Sequence, residues 1–174
     1  LYVYDLAYLK QRAQELLDFK SSDYLPRYAI KANPHPKIIK LFDILGLHFD
    51  ASSDYEVELA LNSGVGASKI SLCSQQLPRD ISQMLNSGVR FVATSFHQLD
   101  LVAATGWKGE VAVRLNPGLG SGHSRRTTTG GATSSFGIWH EYMPQILQWQ
   151  AKSGANINRL HVHIGSGVEA NIWR

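Results

Sequence analysis

Lys31 is the first residue whose type and place could do chemistry. It stands in RYAIKANPHP (Arg27 to Pro36), where it ends a short apolar run that Ala32-Asn33-Pro34 stops. The pattern predicts a strand over Tyr28 to Lys31, with the lysine at its C-terminal mouth. An amine held there keeps its stem among apolar neighbours and gives up protons readily, which suits Schiff-base chemistry with a carbonyl. A surface lysine that merely follows a strand has the same local sequence. Downstream, FDASSDYEVELAL (Phe49 to Leu61) puts Asp50 at a strand end and Glu56 near a helix start. Carboxylates beside an imine can pair with the lysine or hold a histidine in place. Glu56 also fits a capping partner of Ser53, and Asp50 a turn residue.

HVHIGSG (His161 to Gly167) is the second strong signal. At period two, His161 and His163 share one face of a strand, where a metal, a cofactor or the plain core could claim them. Gly165-Ser166-Gly167 offers backbone amides and a hydroxyl that can cradle a phosphate. Arg114, in RLNPG, is expected where a strand turns into a loop. There it can hold an anion, bond a cofactor ring atom or close an ion pair at a barrel rim. The segment Asn116 to Gly137 is long for a βα loop and rich in Gly, Ser and Thr. Its His123, Arg125 and Arg126 could meet a substrate carboxylate or stand in solvent.

The elements that must position these residues alternate. Asp5 can cap a helix running to about Phe19, with Leu6, Leu9, Ala13, Leu16 and Leu17 on one face. Helices are also expected over Pro36 to Leu45, Ser53 to Asn62, Pro78 to Asn86, Phe96 to Ala104 and Tyr142 to Ser153. Strands are expected over Tyr28 to Lys31, Leu47 to Ala51, Lys69 to Cys73, Phe91 to Thr94, Glu110 to Leu115 and Arg159 to Ile164. Short apolar strands alternating with amphipathic helices predict parallel βα units in an α/β fold. A doubly wound sheet is one solution, but no G-x-G-x-x-G follows the first strand. A TIM-type (β/α)8 barrel fits better, because Lys31, Asp50, Arg114 and His163 all fall at strand C-terminal ends, the face where barrel sites form. Six units leave such a barrel incomplete. No linker or low-complexity stretch divides the chain.

The 174 residues suffice for one core, and 44% hydrophobic with 18% charged residues excludes a disordered chain. A net charge of +3 without a basic run gives no nucleic-acid stripe. No apolar run approaches the roughly 20 residues of a membrane span, and no signal peptide is visible, which predicts a cytoplasmic protein. The single cysteine, Cys73, excludes an intramolecular disulfide, fits a reducing compartment and reads as buried filler. The chain begins at Leu1 and stops just after a motif, so both ends are expected to be cuts.

YAIKAN, FDASSDYE, RLNPG, SSFG and HIGSG, in this order and spacing, resemble the fold-type III pyridoxal-phosphate decarboxylases. That family includes ornithine, arginine and diaminopimelate decarboxylases. The RLNPGLGSGH…TTTGG…SFGI stretch is most like the diaminopimelate branch, and the resemblance runs from Leu1 to Ile172. It implies an alanine-racemase-like barrel, pyridoxal 5'-phosphate as cofactor, and α-decarboxylation of an amino acid, meso-diaminopimelate foremost. By the same resemblance Lys31 would carry the cofactor, His163 would stack on its ring and Ser166 would bond its phosphate region. Asp50, Glu56 and Arg114 would form the polar network around lysine and ring. The resemblance places a glutamate for the pyridine nitrogen, a glycine-rich phosphate loop, a β domain and a dimer-spanning cysteine segment beyond Arg174. It therefore implies a homodimer for the full-length parent. No metal is implied. The family's SKFG-like motif reads SSFG here, with Ser135 in place of the lysine. An alanine-racemase-like enzyme, a non-catalytic cofactor-binding module and a metal site on His161 and His163 are the alternatives.

Overall fold

The computed structural model describes residues 1–19, 23–124, 126–167 and 171. Arg125, a candidate for the substrate carboxylate, lies outside the described residues. The chain divides into two compact units, Leu1–Leu72 with Ser87–Val89, and Cys73–Asn86 with Arg90–Arg174.

The first unit opens with helix α1 (Leu6–Asp18). Asp5 caps it as expected, its Oδ1 accepting from the amides of Ala7 and Tyr8 at 2.8 and 3.2 Å. Strand β1 (Arg27–Ala29) follows, then α2 (Pro36–Leu45), β2 (His48–Ala51), α3 (Asp54–Asn62) and β3 (Ile70–Cys73). Proline opens α2, and Gly46 ends it in the left-handed region at φ 95°. The three strands are parallel, with Ala29 beside Asp50 and Asp50 beside Ser71. Ile30, Ile39, Leu47, Phe49, Ile70 and Leu72 are fully or almost fully buried and form the core of this unit. Arg27 donates from Nη1 to the carbonyls of Phe49 and Lys69 at 3.2 and 3.1 Å, tying β1 to the next two strands.

The second unit contains α4 (Ile81–Asn86), β4 (Arg90–Ala93), α5 (Phe96–Ala104), β5 (Glu110–Asn116), β6 (Ile138–Trp139), α6 (Met143–Ser153) and β7 (Asn156–Val162). Strand β5 is its axis, pairing in parallel with β4, β6 and β7. Between β5 and β7 the register slips by one, because Val111 faces Ile157 and Ala112 faces Arg159. Asn158 is the extra residue, a β-bulge. Gln98, 1% exposed, has both ends of its amide bonded: Oε1 accepts from the Thr94 amide at 2.8 Å, and Nε2 donates to the Ser74 carbonyl at 2.9 Å.

All six expected strands are present, and each observed pairing among the described residues is parallel apart from one isolated bridge. The differences lie at element ends. The helix expected from Pro78 starts at Ile81, and the two-residue β6 was not expected at all. The β5 strand runs to Asn116, so Arg114 stands inside it and not at its junction with the loop. The β7 strand stops at Val162, which leaves His163 and Ile164 beyond its end.

Candidate functional site

In the first unit the expectation of Lys31 as the last residue of a strand, with a buried stem, is corrected. Strand β1 ends at Ala29, and Ile30–Ala32 form one 3-10 turn. Ile30 takes the buried place, at 0% exposure, and the turn carries the next residue, Lys31, out to an exposed position. Three bonds close the bend. The Asn33 amide donates to the Ile30 carbonyl at 3.1 Å, the Tyr28 hydroxyl to the Asn33 carbonyl at 3.1 Å, and the His35 amide to Asn33 Oδ1 at 3.1 Å. The amine of Lys31 is therefore reachable from a well-fixed backbone.

Burial pushes the Tyr28 phenol above its ordinary value. A proton held more tightly in the folded chain makes the neutral phenol a stabilising group below its unfolded value, near 10. That contribution is lost as pH rises through the folded value. Tyr28→Phe is expected to cost about 1 kcal/mol by urea unfolding at neutral pH, with the difference shrinking above pH ~10.

Asp50 is half-buried on β2. Glu56 is engaged at the start of α3: the Ser53 hydroxyl accepts from the Glu56 amide at 3.2 Å. In return Glu56 Oε2 accepts from the amide and the hydroxyl of Ser52 at 2.7 and 3.0 Å. This is a capping box displaced by one residue. The cap fixes the carboxylate at the β2–α3 junction.

In the second unit Arg114 is buried, at 7% exposure. Its guanidinium lies 4.7 Å from the centre of the Phe136 ring, and Nη2 donates to the His163 carbonyl at 3.4 Å. Its Nε is buried without a hydrogen-bond partner among the described residues. A rim ion pair was one expectation for Arg114; an aromatic face and a peptide oxygen are what hold it. Gly137 permits the chain after Phe136 to lie close against β5, since a Cβ there would meet the Arg114 carbonyl at 2.9 Å.

Hydrogen bonds hold the described residues of the loop after β5, while its His123 and Arg126 side chains stand exposed, one of the two expectations for them. Asn116, 3% exposed, organises the loop. Its Oδ1 accepts from the amides of Gly118 and Gly131 at 3.1 and 2.9 Å, and its Nδ2 donates to the carbonyls of Gly131 and Ser134 at 2.9 and 3.2 Å. Asn116→Asp keeps the shape but turns an acceptor toward two carbonyls. It is expected to lower stability by about 2 kcal/mol in chemical denaturation.

The loop then lies as a strap along residues 163–167. The amides of Ser121 and Thr129 both donate to the Ile164 carbonyl at 3.1 Å, and the Ser166 amide donates to the Thr127 carbonyl at 3.0 Å. The His123 amide donates to the Ser166 carbonyl at 3.3 Å, and Thr128 bridges Gly165 in antiparallel fashion. Gly165 makes this possible, because a Cβ on it would overlap the Ser121 carbonyl and come within 2.7 Å of the Thr127 carbonyl. His123 is thus brought to the GSG segment, its ring against Gly167. Ser166 and His123 are exposed, and so is Ser135 in the SSFG motif.

The two histidines part company. His161, register partner of Arg114, has Nδ1 3.3 Å from the Cys73 thiol. His163 has Nδ1 2.6 Å from the Thr129 hydroxyl. No group of three His, Cys, Asp or Glu side chains suited to a metal occurs among the described residues. Cys73, expected as buried filler, is half-buried beside His161. Asn116, Thr129 and Phe136 were missed from sequence; only the length and Gly/Ser/Thr content of the loop pointed toward them.

With this geometry in hand, comparison with known proteins gives a consistent result. A family model described as the pyridoxal binding domain of pyridoxal-dependent decarboxylases matches residues 6–172. The diaminopimelate decarboxylase of Streptomyces coelicolor is 37% identical over 174 residues, spanning 97% of this chain and 39% of that protein. The enzyme of the same name from Methanothermobacter thermautotrophicus is 30% identical, over 97% of this chain and 40% of its own length. Among solved structures, Helicobacter pylori diaminopimelate decarboxylase complexed with L-lysine superposes with a TM-score of 0.86 at 25% identity. That match covers 95% of this chain and 44% of the other. The arginine decarboxylase of a Paramecium bursaria Chlorella virus shares the fold, with a TM-score of 0.74 at 18% identity over 92% of this chain and 43% of that one. The fold class is that of the parallel (β/α) barrel decarboxylases, of which this chain carries part. It spans about 40% of the length of the curated relatives it matches.

Proposed function

Since the chain belongs to the pyridoxal-dependent decarboxylase family, whose cofactor is pyridoxal phosphate, we propose that its full-length form removes an α-carboxylate from meso-diaminopimelate and yields lysine. The supporting observation is the strapped HIGSG segment, in a chain matched along 97% of its length by diaminopimelate decarboxylases. In this reading residues 1–174 are a partial cofactor-binding barrel domain. The rest of the barrel and a β domain belong to the remainder of the relatives' length. The reading extends to a homodimer acting in the cytoplasm. No helix among the described residues is long and apolar enough to cross a membrane, which is compatible with that.

Each unit, taken by itself, offers groups suited to the cofactor. The buried Arg114 Nε has an unmet donor, Ser166 exposes a hydroxyl between two glycines, and Lys31 presents a reachable amine. When bound, the cofactor supplies an electron sink for the pair left on the α-carbon as carbon dioxide departs. The chain's own groups then have distinct tasks. Lys31 would be the covalent attachment point for the cofactor. His163 would lay a flat imidazole against the ring, and the exposed Ser166 hydroxyl would hold the phosphate region. Arg114 would donate toward the ring, while Asp50 and Glu56 would set the charge near Lys31. His123 and Arg125 are proposed for the substrate carboxylate.

The test is to trap labelled carbon dioxide from carboxyl-labelled meso-diaminopimelate with the full-length protein. Release at catalytic rates supports decarboxylation. Retention of the carboxylate with exchange of the α-proton into deuterated solvent would support an alanine-racemase-like activity instead.

A further inference from the structure

The strap does more than cover the HIGSG segment, because one of its side chains reaches the imidazole itself. Thr129 Oγ1 lies 2.6 Å from His163 Nδ1 and 3.2 Å from the His163 carbonyl oxygen. The Thr129 amide is meanwhile fixed on the Ile164 carbonyl at 3.1 Å. The hydroxyl is thus clamped at both ends of one residue.

A threonine hydroxyl has one proton to give and lone pairs to receive. The carbonyl of His163 is always an acceptor, whereas Nδ1 is an acceptor only when it carries no proton. If the hydroxyl gave its proton to Nδ1, its oxygen would face the carbonyl oxygen at 3.2 Å with lone pairs opposed. If the hydroxyl gives its proton to the carbonyl, its lone pair faces Nδ1, and Nδ1 must bring a proton of its own. The second arrangement avoids that opposition and makes the short 2.6 Å contact an Nδ1–H to Oγ1 bond.

We propose that Thr129 is a positioning residue that holds neutral His163 in its Nδ1–H tautomer, through the chain Nδ1–H to Thr129 Oγ1–H to the His163 carbonyl. Arg114 Nη2 reaches the same carbonyl at 3.4 Å, so the strap and β5 clasp this peptide together. The ring's basic lone pair is then assigned to Nε2, and a flip of the imidazole about its bond to Cβ would break the Nδ1–H bond. A ring so fixed in plane and proton content is what a stacking partner requires. That consequence rests on the proposed role of His163; the tautomer itself does not.

The experiment is long-range 1H–15N correlation of the histidine side chains in the cofactor-free protein, at a pH where imidazoles are neutral. The signals of the seven histidines are assigned through the loss of one set in His163→Gln. The expected result is a single Nδ1–H pattern for His163, kept in Thr129→Ser and replaced by a mostly Nε2–H pattern in Thr129→Val. In the full-length enzyme Thr129→Val should also lower kcat by about tenfold with KM little changed, and Thr129→Ser should restore it. An Nε2–H pattern in the wild type, or a Thr129→Val ring that keeps Nδ1–H, would overturn the proposal. Should the valine variant not fold, the wild-type and Thr129→Ser spectra still decide the tautomer. A confirmed tautomer in a protein that takes up no pyridoxal phosphate would sink the cofactor reading alone.

Discussion

Lys31→Ala is expected to lower decarboxylation by the full-length protein on the order of a thousandfold while leaving the fold intact. The two halves of that expectation come from different atoms. Ile30 is the residue that anchors the 3-10 turn in the core, and the turn's closing bonds use Tyr28, Asn33 and His35. Lys31 contributes none of them and is exposed. Alanine sits comfortably in such a turn, and an exposed substitution shifts stability by no more than about 0.5 kcal/mol. Chemistry is expected to lose more, because the amine is the proposed covalent anchor of the cofactor. Steady-state turnover beside a urea unfolding curve separates the two. A variant that unfolds with the loss of activity, or one that keeps near-normal turnover, would remove Lys31 from its role.

Gly165→Ala is expected to act in the opposite way, through structure first. The added methyl would overlap the Ser121 carbonyl and press on the Thr127 carbonyl, both backbone atoms with little room to yield. The backbone at Gly165 has φ 151°, which side chains seldom adopt. Overpacking and backbone strain together come to about 3–4 kcal/mol. The strap can escape part of that by lifting off, at the loss of the bonds from Ser121 and Thr129 to Ile164 and from Ser166 to Thr127. Amide hydrogen exchange would then show those amides losing protection ahead of global unfolding. Pyridoxal phosphate uptake should fall with it, since the Ser166 hydroxyl and the His163 ring, proposed to hold the cofactor, are positioned by the strap. Unchanged exchange at these amides would mean that the close approach at Gly165 is not what holds the segment.

These two residues also show what a sequence can and cannot say. Strand and helix places were legible wherever a repeating physical signal existed. Asp5, Ser53, Pro36 and Gly46 punctuate helices in the expected ways, and apolar runs mark the strands. The capping box at Glu56 was visible in its spacing; that Ser52 receives the returning carboxylate was not. The 3-10 turn at Lys31 carries no periodic mark, so a four-residue apolar run read as four residues of strand. Arg114 was expected at a strand–loop junction, yet the strand runs on to Asn116, which organises the loop from there. The strap was illegible for a different reason. Most of its contacts run backbone to backbone between small polar residues, and such contacts leave no pattern in side-chain type. Thr129 illustrates this: it is one of three consecutive threonines, and only geometry tells it from its neighbours.

The most direct measurement of the central claim is to locate the cofactor on the chain. The protein is incubated with pyridoxal phosphate, reduced with borohydride and digested, and the modified peptide is read by mass spectrometry. Lys31 as the attachment point predicts one pyridoxyl group, on the peptide containing Lys31, with nearby Lys37 and Lys40 unmodified. Labelling spread over several surface lysines, or concentrated on any lysine other than Lys31, would contradict it.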